Sequence, residues 1–462
     1  MPSLWRHCSP RERRNFIALA VFVALAILLG GGSRGDVASL PIVYAGAVLM
    51  IGAAILQLEG HDWRRVRTPL SLLGGLALLM IIQLLPLPPS MWRALAGRES
   101  FAAGLDMVGL AQTWRPASLT PDLTLYALIA VLVPAAVLLV GVMAGRLLPA
   151  MVPVLLGLCA LSALVGLLQA VGSLSSFYRI TNQGAAVGLF ANRNHQAALL
   201  VCAFPLTAVW ATWPDADPAT RSVRGWIGLC AGAILVPMLM VTGSRGGVLF
   251  GAVSVLASLV LLWTGADRRT RRSARRSPVA VAALVATVLL PMIVTFLFAR
   301  DLAVQRLLAG AEGELRSQFL PVYLNIIDAF FPWGSGFGSF DAVFRGYEPH
   351  AALSQTYLNH AHNEVAELLI EGGAGAALLA AGFVAWAARR SWVAWRRPRG
   401  GGALLGRAGS VIVGVLILWS LVDYPLRTPS LSAVTAVACL FLIARADGRS
   451  PEPGLGRRPA IR

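Results

Sequence analysis

The sequence contains no lysine, because all 39 of its basic residues are arginine. Charged residues of both signs make up only 13% of the 462 residues, against about a quarter in a typical soluble domain. Cysteine is also scarce: Cys8 lies in the N-terminal tail, and the other four lie within long apolar runs. A soluble globular domain is therefore excluded, and no pair of cysteines is placed to form a structural disulfide or a zinc site.

The sequence is instead rich in long apolar runs, and 57% of its residues are hydrophobic. Most runs approach the ~20 residues that an α-helix needs to cross the hydrocarbon core of a bilayer. The runs are Phe16–Gly32, Val37–Leu58, Pro69–Pro86, Leu123–Ala144, Leu148–Val171, Gln196–Trp213, Trp226–Val241, Gly247–Gly265, Pro278–Phe298, Val365–Trp386, Ala403–Leu421 and Ser430–Ala444. They predict an all-α membrane protein with about twelve transmembrane helices in a single polytopic domain over residues 1–462.

The distribution of arginine predicts the orientation of these helices. If the N-terminus is cytoplasmic, most arginines fall on the cytoplasmic side, including the clusters Arg268–Arg276, Arg389–Arg407 and Arg445–Arg462. This positive-inside bias places both termini in the cytoplasm. It also accounts for the net charge of +17, so nucleic acid is not an expected partner. The first apolar run lacks a small-x-small cleavage site and is interpreted as a membrane anchor.

This orientation assigns six loops to the external face, and the longest of them carries the most unusual residues. The external loops are 33–36, 87–122, 172–195, 242–247, 299–364 and 422–429. Four of the six histidines, His195, His350, His360 and His362, lie in these loops or at their borders. The loop 299–364 precedes the tenth predicted span and ends in His-Ala-His-Asn-Glu at residues 360–364. Packing does not require ionisable groups at such a boundary, so we expect chemistry there.

The helix that follows this loop carries three acidic residues on one face. Glu364, Glu367 and Glu371 are spaced i, i+3 and i+7 and therefore share a side of the helix. Three carboxylates entering a membrane are costly unless they meet cations or water. Two interpretations remain open: a proton or ion path, or an active site in which the acids orient a histidine and arginines.

Two further external motifs contain arginine beside small or amide residues. The turn Thr-Gly-Ser-Arg-Gly-Gly at 242–247 places Arg245 at the membrane edge. Arg245 is either a snorkelling arginine or part of an anion clamp made with backbone N–H groups. The run Asn192-Arg193-Asn194-His195 opens another span. Its amides either cap that helix or bind a sugar or phosphate from the same face as Arg245.

Two other patterns resemble nucleotide-binding or metal-binding motifs, but the sequence around them does not predict the fold that such motifs require. The spacing Gly334-x-Gly336-x-Gly338 follows no predicted strand of a βαβ unit, so a dinucleotide site is not indicated. It predicts a tight turn after an amphipathic helix over Arg316–Phe331. The pair Asp215 and Asp217 lies in a short cytoplasmic loop without an α/β domain. The external face shows no recognisable spacing of metal ligands, and we expect no metal and no cofactor.

Taken in order, these motifs resemble those of the O-antigen ligase and O-antigen polymerase superfamily. The resemblance is strongest over residues 185–430, and the first five spans resemble the family only in being hydrophobic. The matching pieces are Gly-Leu-Phe-Ala-Asn-Arg-Asn at 188–194, Thr-Gly-Ser-Arg-Gly at 242–246, Arg316 with the glycines of 334–338, His-Ala-His-Asn-Glu at 360–364 with Glu-Gly-Gly-Ala-Gly at 371–375, and Asp-Tyr-Pro-Leu-Arg at 423–427.

The resemblance implies a GT-C-like glycosyltransferase of the bacterial inner membrane with a periplasmic active site. Its donor would be a glycan on undecaprenyl pyrophosphate, and its acceptor would be lipid A–core. Related members polymerise the glycan or attach it to protein, so these activities remain alternatives. The family is thought to act without metal. Carried over by position, the resemblance makes His362 the general base and makes Arg245 and Arg316 the catalytic arginines.

The residue chemistry supports the same assignment. Breaking a sugar–pyrophosphate bond requires cations near the leaving phosphate and a base near the acceptor hydroxyl. We therefore expect Arg245, Arg316 and His362 to converge. The neighbouring polar residues are expected to bind substrate: Asn192, Arg193, Asn194, His360, Asn363 and Glu364. A transporter or flippase is the rival class, and it would require polar residues along a path through the membrane midplane. A scaffolding protein would leave the His-Asn-Glu cluster unexplained.

Overall fold

A computed structural model describes most of the chain. It covers residues 5–6, 8–214, 217–265, 311–353, 358–398 and 400–444, with side chains for all of these except residues 218 and 311–318. The predicted span Pro278–Phe298 and the arginine clusters Arg268–Arg276 and Arg445–Arg462 lie outside the described residues, as does the start of the predicted loop 299–364.

The described chain is almost wholly helical. Its helices are α1 Pro10–Leu29, α2 Leu40–Ile55, α3 Gly60–Leu84, α4 Pro89–Arg93, α5 Glu99–Met107, α6 Pro121–Ala130, α7 Leu132–Met143, α8 Met151–Ala170, α9 Arg193–Ala211, α10 Pro218–Val241, α11 Arg245–Gly265, α12 Ala311–Phe330, α13 Phe340–Tyr347, α14 Glu364–Arg396, α15 Gly401–Trp419 and α16 Pro429–Leu442. Short 3₁₀ turns occupy Gly145–Ala150, His350–Ala352 and Pro425–Arg427. Two short antiparallel strands, β1 Pro86–Leu87 and β2 Arg115–Pro116, pair in the segment between α3 and α6.

Among the described residues, seven helical stretches are long and apolar enough to cross a membrane. They are Gly60–Leu84, Pro121–Met143, Gly145–Ala170, Ala219–Val241, Arg245–Gly265, Glu364–Arg396 and Gly401–Trp419. Shorter apolar helices include α2 and α16. The prediction of an all-α, multi-pass membrane protein is therefore confirmed, whereas the total of about twelve spans stays a prediction. The run predicted as one span at Leu123–Ala144 corresponds to the stretch Pro121–Met143, which consists of two consecutive helices, α6 and α7.

The bundle is built around α9, which is buried on nearly every side. It packs against α8, α10, α11 and α15. A helix that is apolar all round belongs in the interior of a bundle, and α9 fits this rule except at its first turn. That turn carries the polar run from Asn192 to Gln196, so the polar residues lie where the central helix reaches one end of the bundle.

Hydrogen bonds draw the predicted external loops together at that end, which we call the site end. Ala191 donates its backbone N–H to the carbonyl of Gly31, and Leu119 donates to the carbonyl of Ser335. Glu364 donates its backbone N–H to the carbonyl of Ser420 over 2.8 Å. The opposite end holds the start of α1, where the Arg11 guanidinium pairs with the Asp62 carboxylate at 2.8 Å. These contacts thus lie at two opposite ends of the bundle, and which end faces the cytoplasm stays a prediction.

Helix α14 breaks at Gly373, where the backbone leaves the helical region with φ 54°. The carbonyl groups of Ile370 and Glu371 accept hydrogen bonds from the backbone N–H groups of Ser335 and Gly336, each over 2.9 Å. Beyond the break, the Ala374 N–H donates to the carbonyl of Pro332. The glycine turn 331–339 therefore replaces the missing intrahelical partners. Residues 364–372 form a separate first segment of α14, which we call the half-helix.

Gly336 is required by this arrangement, since its φ of 107° is open to glycine but strained for other residues. A Cβ at this position would lie 2.6 Å from the Cα of Ser118. We expect Gly336→Ala to lower the stability of the protein by ~2 kcal/mol or more. Thermal unfolding in detergent measures this change. Gly346→Ala is the matched control, because a Cβ there meets nothing within 4 Å, and an equal loss in both variants would contradict the prediction.

Candidate active site

The segment that carries the two predicted histidines is not helical. Residues 360–363 precede the half-helix, and Asn363 caps it by accepting the Ala366 N–H at 3.0 Å through Oδ1. His362 adopts a φ of 50°, the left-handed region that non-glycine residues enter rarely. This turn directs the chain so that His362 and His360 both contact one side chain from a distant loop, Tyr424.

His362 forms a hydrogen-bonded pair with a buried carboxylate. Its Nδ1 lies 3.0 Å from Oδ1 of Asp423, and the Asp423 side chain is only 1% exposed. Asp423 also accepts the Asn194 amide at 2.6 Å and the Tyr424 backbone N–H at 3.0 Å. An ionised carboxylate only accepts, so the tautomer that satisfies this contact has its proton on Nδ1. In that tautomer the lone pair is on Nε2, the arrangement of a histidine base held by an acid.

The Arg245 turn joins the same network through its neighbour. Ser244 donates its hydroxyl to Oδ1 of Asn194 over 2.8 Å, and Asn194 in turn donates to Asp423. The Ser244 hydroxyl also accepts the Gly247 N–H at 3.0 Å and so caps the first turn of α11. Arg245 itself is the exposed first residue of α11. A continuous chain of hydrogen bonds therefore runs from the arginine turn to His362.

A second network surrounds His360. Its Nδ1 lies 2.7 Å from Oε1 of Glu367, and that carboxylate also pairs with the Arg427 guanidinium at 3.2 Å. Arg427 pairs with Glu371 at 2.8 Å as well. Both glutamate side chains are fully buried. Burial alone would lower the pKa of Arg427, but Glu367 and Glu371 raise it above its ordinary value, so Arg427 is a permanent cation between two carboxylates.

The three acids of the half-helix therefore hold the loop 420–428 in place. Glu364 accepts the Ser420 hydroxyl and the Leu426 backbone N–H, the latter at 3.0 Å. Glu371 additionally accepts the Gly338 N–H at 2.9 Å. These contacts fix the loop that carries Asp423. The acids are oriented toward histidine, arginine and backbone donors.

Tyr424 lies at the centre of three imidazole rings. The ring centroids of His360, His362 and His195 lie 4.3, 5.0 and 4.9 Å from that of Tyr424. The Tyr424 phenol is buried, and this burial raises its pKa above the ordinary value. It therefore stays protonated and can act only as a neutral hydrogen-bonding group and an apolar wall.

The structure brings several sequence-predicted residues to this site. Asn192 accepts the Asn194 N–H at 2.8 Å as the cap of α9, and its amide lies 3.4 Å from the Tyr424 hydroxyl. Arg193 is half-buried in the first turn of the same helix. Asn363 caps the half-helix, and the Glu364 carboxylate is buried against the loop 420–428.

The third predicted arginine, Arg316, is placed only by its backbone. It lies in α12, whose side chains are described from Phe319 onward. Phe319, Tyr323 and Ile326 of α12 form a buried cluster with Ala361, which lies between the two site histidines. Helix α12 therefore packs beside the His360–Asn363 segment. The expected convergence of the Arg316 guanidinium lies outside the described side chains and stays a prediction.

Sequence reasoning gave no role to Asp423, Tyr424 or Arg427, which the structure places at the centre of the site. The signal was present: these polar residues occupy a short loop between two apolar helices, α15 and α16. The partners could not be assigned because each is more than fifty positions away in sequence, as with Asp423 and His362, which are separated by 61 residues.

The site combines the His362 imidazole with cationic and amide groups and with the buried ring of Tyr424. Among residues with described positions, no group of three or more His, Cys, Asp or Glu side chains could hold a metal ion. The arrangement can remove a proton from a hydroxyl at His362. It can also bind an anion near the Arg245 turn, where a guanidinium adjoins a helix N-terminus.

A family model described as O-antigen ligase matches residues 230–381. This range runs from within α10 to within α14 and contains Arg245, Arg316, His360 and His362. The polar start of α9 and the loop 420–428 lie outside the matched range. None of the curated proteins matches the chain.

Proposed function

We propose that this chain, which the family match identifies as a member of the O-antigen ligase superfamily, transfers a glycan from undecaprenyl pyrophosphate to lipid A–core. The observation that carries the proposal is the hydrogen bond between His362 and the buried Asp423, beside the Arg245 turn. A transfer from a sugar–pyrophosphate to a hydroxyl needs a base and an anion-binding group close together, and this pair of features supplies both.

The reaction follows from the positions of these groups. Nε2 of His362 accepts the proton of the acceptor hydroxyl as that oxygen attacks the first carbon of the donor sugar. Asp423 keeps Nδ1 protonated and stabilises the imidazolium that forms. Arg245, with Arg316, stabilises the negative charge that builds on the departing pyrophosphate. Asn194 holds Asp423 and the Arg245 turn in a fixed relation because it bonds to Asp423 and to Ser244.

The location of the site suits a lipid-linked donor. The site lies at one end of the helix bundle, where α9, α11 and α14 begin. With the orientation that the arginine pattern favours, this end faces the periplasm of the bacterial inner membrane. A pyrophosphate anchored by its lipid tail would reach Arg245 and the first turn of α11 from the membrane surface.

The rival transporter class would need polar groups along a path through the membrane midplane. The described ionisable residues around Tyr424 instead collect at the site end, and their buried carboxylates are occupied by Arg427, His360, Ser420 and backbone N–H groups. This arrangement supports a transferase. Polymerisation of the glycan and transfer to protein use the same chemistry and remain the alternatives within the superfamily.

Deletion of the gene tests the proposal and separates these alternatives. Lipopolysaccharide is separated on a gel, and lipid-linked glycan is measured in the same cells. We expect the O-antigen ladder to disappear while lipid-linked polymer accumulates. A band carrying a single repeat would instead indicate a polymerase. An unchanged ladder with altered glycoprotein would indicate transfer to protein, and no change in any glycan would overturn the proposal.

Transfer is expected to be independent of metal ions. The reason is that arginine and histidine side chains, and not carboxylate ligands, supply the charge needed at the pyrophosphate. Activity of the purified protein is measured with EDTA and then with added magnesium or manganese. We expect equal rates under all conditions. Activity that vanishes with EDTA and returns with either metal would contradict this.

A further inference from the structure

Two histidine–carboxylate pairs lie against the same tyrosine. His362 pairs with Asp423 and His360 pairs with Glu367, and both rings contact Tyr424. The proposed transfer uses only the first pair. A packing role does not require the second ring to be an ionisable group beside a buried acid, and His360 keeps 14% of its side chain exposed. The second pair can therefore take part in the chemistry.

The contacts of Glu367 indicate that this carboxylate is ionised. Its two oxygens accept from His360 Nδ1, from the Arg427 guanidinium and from the Ala361 backbone N–H at 2.9 Å. A carboxylate that receives several N–H groups is held in its charged form. His360 thus faces a full negative charge that remains in place throughout the reaction.

Each histidine ring is held by a carboxylate through the same nitrogen. The distance from His360 Nδ1 to Glu367 Oε1 is 2.7 Å, and the distance from His362 Nδ1 to Asp423 Oδ1 is 3.0 Å. Both are hydrogen-bond distances, so in each ring Nε2 is the nitrogen left to face a substrate.

The ionisable groups around His360 come from several elements. The described ones are Glu364, Glu367 and Glu371 of the half-helix, Asp423, Tyr424 and Arg427 of the loop 420–428, His195 of α9, and His362. A neighbouring carboxylate stabilises the charged form of an imidazole, and Glu367 is the carboxylate that contacts Nδ1 of His360.

We propose that His360 is the general acid of the transfer and protonates the departing diphosphate. This rests on the proposed function. The bond between the sugar carbon and the phosphate oxygen breaks, and its electron pair goes to that oxygen. The oxygen takes the proton from Nε2 of His360, a nitrogen that no described residue binds. The acceptor oxygen forms the new bond to the sugar carbon, and its proton goes to Nε2 of His362. Water later returns a proton to His360 and removes one from His362.

Glu367 acts in this step through His360. Its carboxylate fixes the His360 ring through Nδ1, and Arg427, which pairs with Glu367 and Glu371, holds that carboxylate in place. Glu367 and Arg427 are positioning residues because they act through His360. A diphosphate is a weakly basic leaving group, so an acid contributes less than the usual hundredfold or more, and we expect a contribution of about tenfold.

The dependence of rate on pH tests the proposal with the purified full chain and a lipid-linked diphosphate donor. A neutral base and a protonated acid together give a bell-shaped profile of kcat/KM. In the wild type, the rate should fall at acid pH as His362 gains a proton and at alkaline pH as His360 loses one. His360→Gln can still donate a hydrogen bond but cannot transfer a proton. We expect this variant to lose about tenfold at the optimum and to lose the alkaline limb, while the acid limb stays.

His350→Gln is the matched control, because His350 is exposed and lies in the short turn His350–Ala352 of the same region. It should keep both limbs of the profile. A merely structural role for His360 would lower the rate of His360→Gln equally at every pH and leave the alkaline limb, which would overturn the proposal. A wild-type profile without an alkaline limb would overturn it without any variant. An inactive wild type would overturn the proposed function itself.

Discussion

His362→Ala is expected to reduce the rate of glycan transfer by about two or more orders of magnitude, the usual scale for loss of a general base. The physical reason is that His362 is the proposed base, with Nδ1 held by the buried Asp423 carboxylate, whereas the other histidine–carboxylate pair is assigned to the leaving group. The reaction would then depend on water to remove the acceptor proton. Purified variant and wild type are compared at equal concentration with the lipid-linked donor.

Comparison with His360 makes this prediction specific. His360→Ala should cost much less, about tenfold, because diphosphate departs with little help from an acid. His362→Asn is a useful companion variant, since asparagine tolerates the positive φ that His362 adopts. Equal losses in His362→Ala and His362→Asn would assign the effect to chemistry and not to backbone strain. If the His360 variants lost more transfer activity than the His362 variants, the role of general base would have been assigned to the wrong histidine.

The relation between the two histidines shows what sequence alone could not provide. In a helix, residues 360 and 362 would project about 200° apart and could not serve one reacting centre. The structure places the start of the helix at Glu364 and gives His362 a φ of 50°. Both rings consequently reach Tyr424. The spacing of two histidines does not define their geometry unless the backbone conformation is known.

The helices themselves were predictable, because apolar runs of the right length define membrane helices. The break in α14 was not. Glycine pairs such as Gly372-Gly373 occur in continuous helices as well as at kinks. The break depends on Ser335 and Gly336, whose backbone N–H groups bind the carbonyls of Ile370 and Glu371. These donors come from a loop some thirty-five positions earlier, and local propensity contains no information about them.

The acidic face of the half-helix was also predictable, but its partners were not. The i, i+3, i+7 spacing places Glu364, Glu367 and Glu371 on one side of any helix. Their contacts with Ser420, Leu426 and Arg427 depend on how the loop 420–428 packs. Sequence reasoning could state that these acids require partners. It could not identify the partner that holds His360 and the loop of Asp423 together.

Arg245 is the group from which we expect the other large effect. It is the first residue of α11, and Ser244 beside it is fixed by hydrogen bonds to Asn194 and to the Gly247 N–H. The Arg245 side chain therefore extends from a rigid turn at a helix N-terminus, where the helix dipole also favours the binding of an anion. Arg245 is exposed, so its replacement need not disturb the buried core of the bundle.

Arg245→Ala is expected to lower the rate of glycan transfer by roughly three orders of magnitude. The variant should still fold in membranes. Arg245→Lys should also be poor, because lysine keeps the charge but loses the planar fork that binds two phosphate oxygens at once. Arg345→Ala is the matched control, since Arg345 is another exposed arginine of the site region and pairs with Asp341 on α13. Transfer rates are measured with purified protein at equal expression. Wild-type activity in Arg245→Lys would show that charge alone suffices and that bidentate recognition of the pyrophosphate is wrong.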